Sequence, residues 1–118
     1  MCTCSSNVLW STPHEAHRHG ASQIGAEAMV FSILRNGCLA REILEVIHNI
    51  DYATLAKMYP SLPPLDVPPT RITDDLLCAL NHAFKSEEDL DNVTCVDLLR
   101  AVLIHCESAR IMLRTDAF

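Results

Sequence analysis

The 118 residues carry a formal net charge of -6 and are 49% hydrophobic but only 5% aromatic, enough chain for one aliphatic core and too little for two ordinary domains. Acids and bases are interspersed without a basic stripe, which leaves nucleic acid nothing to bind by counterion release. The longest apolar run near the C-terminus, Ala101–Ile104, is far shorter than a membrane span, and the Cys/Ser-rich start lacks the regions of a signal peptide, so a cytoplasmic chain with no membrane partner is expected.

Only three glycines and an abundance of Leu, Ile, Ala and Val favour packed helices over a turn-rich sandwich. Residues 1–11 read as a flexible Cys/Ser-rich tail, and residues 12–118 as a single domain. The first helix is predicted to start at Thr12, which can cap, with Pro13 at the first helical position and Glu15 reaching back, and to end at Gly20. A second runs from about Ala26 to Arg35, apolar enough to be central, with Gly37 as its stop. From Leu39 to His48 an amphipathic helix is predicted, with Leu39, Ile43, Val46 and Ile47 on its apolar side. Asp51 can cap a short helix through Leu55 and Met58 that Pro60 stops.

Five of the six prolines fall between Pro60 and Pro69, a stiff connector that cannot continue a helix. Beyond it a helix is predicted from about Asp74 to Lys85, then a charged turn over Ser86–Asp91. Another helix follows from near Thr94 to about His105, and a last one from Ser108 to Leu113.

Of the six cysteines, Cys38, Cys78, Cys95 and Cys106 lie in helical patterns and read as reduced core thiols. Cys2 and Cys4, with His14 and His17 at a spacing that could share a helix face, are the residue types zinc prefers. They carry an alternative reading, a metal-binding or metal-responsive protein, against surface histidines beside an incidental tail. No cofactor is otherwise called for. Cys106 beside His105 makes no dyad, because adjacent helical residues diverge, and no phosphate-cradling G-x-x-x-x-G-K-[ST] run is present, so an enzyme is not expected. Trp10, Tyr52, Tyr59 and Arg100 are candidate exposed contact residues, with cover for the core edge as the favoured role of Trp10.

The two halves echo each other. Ile24-Gly25-Ala26-Glu27-Ala28-Met29-Val30-Phe31-Ser32-Ile33-Leu34 lies over Val93-Thr94-Cys95-Val96-Asp97-Leu98-Leu99-Arg100-Ala101-Val102-Leu103. Ala16 or Ala83 lies on the helix upstream, and Ala40-Arg41-Glu42-Ile43-Leu44 or Ala109-Arg110-Ile111-Met112-Leu113 downstream, which points to an internal duplication. Repeat one spans about residues 12–59, the connector 60–69 and repeat two about 70–115.

This arrangement resembles the N-terminal double-repeat domain of Clp ATPases. Ile24-Gly25-Ala26-Glu27 stands for that family's I-G-T-E, Ile50-Asp51 with Leu55 matches the following helix start, and Pro69-Thr70 looks like the ClpA branch. The resemblance implies an all-α bundle of two pseudo-symmetric repeats, about seven or eight helices, without the ATPase modules. It implies a protein-binding function, docking an adaptor or a protease substrate for a Clp ATPase in regulated proteolysis or chaperone action. It places the docking contacts at the first-repeat helix start, Glu27 with Gln23 and Ala26; Tyr52 and Arg100 join them as candidate anchors by residue type alone, Arg100 standing where the family has an apolar residue. The family's initial helix would set Trp10 at the edge of the core. Val96 stands where the second-repeat glutamate would be, so phosphoarginine recognition by a glutamate pair is not expected. A helix-start acid that merely complements the helix dipole is the plainer account of Glu27.

Overall fold

The computed structural model describes residues 3–36, 38–58, 63–64, 66–85 and 93–113. Seven α-helices are found among them: α1 Thr3–Arg18, α2 Ala26–Asn36, α3 Cys38–Glu42, α4 Tyr52–Met58, α5 Asp74–Lys85, α6 Cys95–His105 and α7 Glu107–Leu113. A π-helical turn, Ile43–Ile47, continues α3. The described residues hold no β-strand, and the fold is all-α.

The flexible tail expected over residues 1–11 is helical from Thr3 onward. Its buried face is Ser5, Val8, Thr12, Glu15 and Ala16, a helical stripe made mostly of polar or small residues, which is why apolar periodicity alone missed it. Thr12 and Pro13 are therefore interior residues, not a cap and a first turn. Pro13 has no N–H to give the Leu9 carbonyl, and the Thr12 hydroxyl instead donates to the Val8 carbonyl at 2.7 Å. Ser32 of α2, fully buried, donates to the same carbonyl at 2.6 Å and so fastens α2 to this segment. Where α1 ends, Gly20 adopts φ 72°, with Gly20 N–H donating to His17 and Ala21 N–H to Ala16, the paired bonds of a Schellman cap.

Every residue of α2 from Ala28 to Leu34 is buried, as a helix apolar all round must be. α2 packs chiefly on α1 and also touches α3, α4, α6 and α7, while α5 lies along α6. Met29, Ile33 and Leu34 of α2 share the core with Leu98 and Val102 of α6, Leu44, Leu55, Leu76 and Met112.

The duplication has a structural counterpart. At one constant offset, α2 (26–36) maps onto α6 (95–105) from first residue to last, and the start of α3 at Cys38 maps onto the start of α7 at Glu107. Burial follows the same register: Met29 with Leu98, Val30 with Leu99, Ile33 with Val102 and Ala40 with Ala109 are all buried pairs. The halves are tied by a parallel bridge between Ile24 and Ile72, in which Ile24 N–H donates to Arg71 and Thr73 N–H to Ile24. That bridge holds the start of α2 beside the start of α5. In the proline-rich connector, Pro69 is buried while Pro63, Pro64 and Pro68 are exposed, and residues 60–62 and 65 lie outside the described residues.

Candidate functional site: an apolar groove and the start of α2

The segment after Gly37 departs most from expectation. Leu39, Val46 and Ile47, taken as its core side, are 58%, 80% and 70% exposed, and the core is met instead by Ala40 and Leu44. The His48 N–H donates to Ile43, five residues back, so the turn that carries Val46 and Ile47 is widened by one residue, while Ala40 and Leu44 meet the core as their counterparts Ala109 and Leu113 do in α7. Asn49, at φ 55°, then reverses the chain in a conformation asparagine tolerates.

Ile43, one turn from both Leu39 and Ile47, forms one wall of a groove of about 420 Å³. Val96, Leu99, Leu103 and Ile104 of α6 form the floor, and Arg100 and Arg110 are its polar members. Arg110 is committed, donating to the Leu103 carbonyl at 2.6 Å and the Ile104 carbonyl at 3.0 Å, where it satisfies the C-terminal end of α6. Arg100 is exposed and makes no ion pair with another described residue. An aliphatic trough beside an unpaired guanidinium suits an apolar segment that carries a carboxylate.

A second surface lies at the start of α2. Glu15, 1% exposed, sits at the centre of a network joining α1, α2 and α4. Its Oε1 accepts from Arg18 at 3.0 Å and Arg35 at 2.5 Å, and its Oε2 accepts from the Tyr52 hydroxyl at 2.6 Å. His19 stands 3.5 Å from the same Oε2 and stacks on Phe31 with ring centres 4.1 Å apart. Arg35 also covers the Tyr52 ring, 4.6 Å from its centre. Burial is the dominant influence on His19 and lowers its pKa below 6.5, outweighing the Glu15 carboxylate, while Arg18 and Arg35 push the same way as burial. A recess of only about 60 Å³ beside this network is lined by Glu15, His19, Phe31, Gln23 and Glu27, among others.

Of the residues singled out from sequence, Glu27 and Gln23 are exposed and come together at this recess. Ala26 is 1% exposed and has no surface to offer a partner, because it faces the core in the first turn of α2. Tyr52, expected to be exposed, is half-buried, its hydroxyl committed to Glu15 and lying 3.0 Å from His19. Arg100 lines the groove, which shares no lining residue with the recess. Glu27 folds back over Gly25, where an added Cβ would stand 2.9 Å from its Oε2, and it occupies the positive end of the α2 dipole. Trp10, expected at the core edge, is 78% exposed. Tyr59 and Cys2 lie outside the described residues.

Cys4 is disulfide-bonded and so is no thiolate ligand for a metal, which removes one member of the N-terminal metal set. His14 is exposed and His17 half-buried on α1. Among the described residues no three His, Cys, Asp or Glu side chains converge as a metal cluster. Cys95 and Cys106 are buried free thiols, as expected, whereas Cys78 is free and exposed. Burial, with the charges of Asp75 and Glu27 adding to it, pushes the Cys106 thiol up to about 12, which leaves it no nucleophilic thiolate. No described helix is long and apolar enough to cross a membrane.

The exposed stripe on α3 had no separate signal in the sequence, since its spacing is that of a core face. Glu15 did have one: Arg18 and His19 follow it at the three- and four-residue intervals that bring helical side chains together. No protein-family model matches this chain, and no curated protein matches it.

Proposed function

We propose that the chain is a protein-docking module, a binding domain and not an enzyme, and that its resemblance to the Clp N-terminal domain reflects a shared role in presenting adaptors or substrates to a Clp ATPase. The observation that carries the docking reading is the groove between the π turn, α6 and α7. Leu39, Val46 and Ile47 leave an aliphatic surface in water beside a trough floored by Val96, Leu99 and Leu103. Exposed aliphatic side chains gathered along a groove mark interaction surfaces in soluble domains. The occupant is an apolar protein segment with a carboxylate, its side chains seated on α6 and its negative charge taken by Arg100. The Glu27–Gln23 edge at the start of α2 is a separate surface, and the dipole and Gly25 contacts of Glu27 account for that residue without a partner.

An array of synthetic peptides varying in aliphatic and acidic content, probed with the intact protein and with Arg100→Glu and Glu27→Lys variants, tests this. Capture of aliphatic-acidic peptides that is lost in Arg100→Glu and kept in Glu27→Lys is expected. Loss only in Glu27→Lys would move docking to the start of α2, and equal capture of basic peptides would contradict the reading.

A further inference from the structure

Two exposed histidines that neither the groove nor the Glu15 network uses face each other across the α5–α6 contact. His105 Nε2, on the last residue of α6, lies 3.0 Å from Nδ1 of His82 on α5, with ring centres 4.9 Å apart and planes at 61°. We propose that His82 and His105 form a two-imidazole site for a borderline divalent transition ion, which clamps α5 to α6. With a metal–nitrogen distance of about 2.0–2.1 Å, two nitrogens on one ion stand roughly 2.9 Å apart at a right angle and roughly 3.4 Å apart at a tetrahedral angle. The observed 3.0 Å falls within that span without any movement of the helices.

Bringing both lone pairs onto one ion needs only ring rotation, and the torsion that turns an imidazole is broad and soft. Both rings are exposed, so an ion arrives without being stripped of all its water. No third ligand among the described residues joins the pair, so the remaining positions are water and the site is open. Imidazole nitrogen with water is a donor set that suits copper, nickel and zinc and serves magnesium or calcium poorly. Without an ion, one ring donates to the other in a single interhelical hydrogen bond; with one, both facing nitrogens give their lone pairs to the metal, which fixes the proton on Nε2 of His82 and on Nδ1 of His105. The site is separate from Cys4, His14 and His17 and rests on none of them.

The test is a titration of zinc into the intact protein, followed through the imidazole nitrogen resonances and the thermal unfolding midpoint. The Nδ1 of His82 and Nε2 of His105 are expected to shift together as a single ion binds, and the midpoint to rise with zinc because the ion binds the folded chain preferentially. His82→Ala and His105→Ala should each weaken binding by about tenfold or more, since losing a ligand costs no less than losing its supporting shell. A His14→Ala/His17→Ala variant should bind as the parent does. Circular dichroism of each variant establishes that these exposed substitutions leave the helices intact. Undiminished binding in both single variants, shifts confined to other histidines, or no binding at submillimolar zinc would overturn the proposal.

Discussion

Glu15 is a carboxylate almost wholly out of water, and its position is sustained by the number of donors that reach it. Arg18 and Arg35 supply two guanidinium contacts and Tyr52 a hydroxyl, so both oxygens are satisfied. Replacing Glu15 by Ala removes the acceptor of two guanidiniums and of the Tyr52 hydroxyl, which is left with His19 at 3.0 Å. Breaking a buried charge pair costs about 3–5 kcal/mol, and because the Arg18 and Arg35 side chains are 51% and 44% exposed, water recovers part of that. A loss of about 2–3 kcal/mol in chemical denaturation is expected for Glu15→Ala, with Tyr52→Phe costing about 1 kcal/mol through loss of the hydrogen bond its hydroxyl donates to Glu15. Equal stability of Glu15→Ala and the parent would show that the network is incidental.

His19 adds a pH dependence to the same cluster. Burial holds its pKa below 6.5, so the unfolded chain binds more protons than the folded one as the pH drops beneath that value. The stability contributed by the neutral ring is present above pH 6.5 and is lost as the pH falls toward the lowered folded value. Denaturation midpoints measured across this window should decline with acidification, and His19→Gln should flatten the decline. A slope that persists unchanged in His19→Gln would place the titrating group elsewhere.

Among the helices, α2 and α6 were the most legible, since both carry long apolar periods and clear starts. At α6 the Thr94 hydroxyl accepts from Asp97 N–H at 3.3 Å while Asp97 accepts from Thr94 N–H at 2.9 Å, a complete capping box. At α4, Asp51 accepts from Thr54 N–H at 2.7 Å, as its position before the helix suggested. Two elements were misread for opposite reasons. The first half of α1 buries Ser5 and Val8, a face too sparse in apolar residues for a hydrophobicity pattern to mark. The apolar side of α3 and the π turn is real but points outward, because Ala40 and Leu44 hold the core contact, in the register that Ala109 and Leu113 hold in α7. Tertiary packing decided both, and neither decision is written in local spacing.

The helix that begins at Thr3 makes the N-terminal residues part of the fold. Residues 1–11, dispensable if they were a tail, supply Ser5 to the Val93 carbonyl at 3.1 Å and Val8 to the core. Deleting them should lower the thermal midpoint steeply or abolish cooperative unfolding, and Val8→Ala alone should cost about 1–2 kcal/mol, by analogy with other buried methyl deletions. A truncated chain that melts like the parent would restore the tail reading.

At the scale of the whole molecule, the duplicated register explains why one half can serve as scaffold for the other. Equivalent helices bury equivalent residues, and the Ile24–Ile72 bridge fixes the two helix starts side by side. The equivalence fails at the groove. Buried Phe31 is matched by exposed Arg100, so repeat two turns outward the position that repeat one uses to hold His19 and Tyr52. The fold class, the repeat and Arg100 as a surface cation were legible in the sequence. The groove was not, because it depends on the π turn, on α3 lying against α6, and on Arg110 being occupied by backbone carbonyls.

The most direct test of the docking reading is a backbone amide chemical-shift map of the intact protein titrated with an aliphatic-acidic peptide selected from the array. The expected result is a contiguous set of shifts at Ile43, Val96, Leu99, Arg100, Leu103 and Ile104, abolished in Arg100→Glu. Saturable shifts confined to Gln23 and Glu27, or none at peptide concentrations up to the millimolar range, would contradict the assignment of docking to the groove.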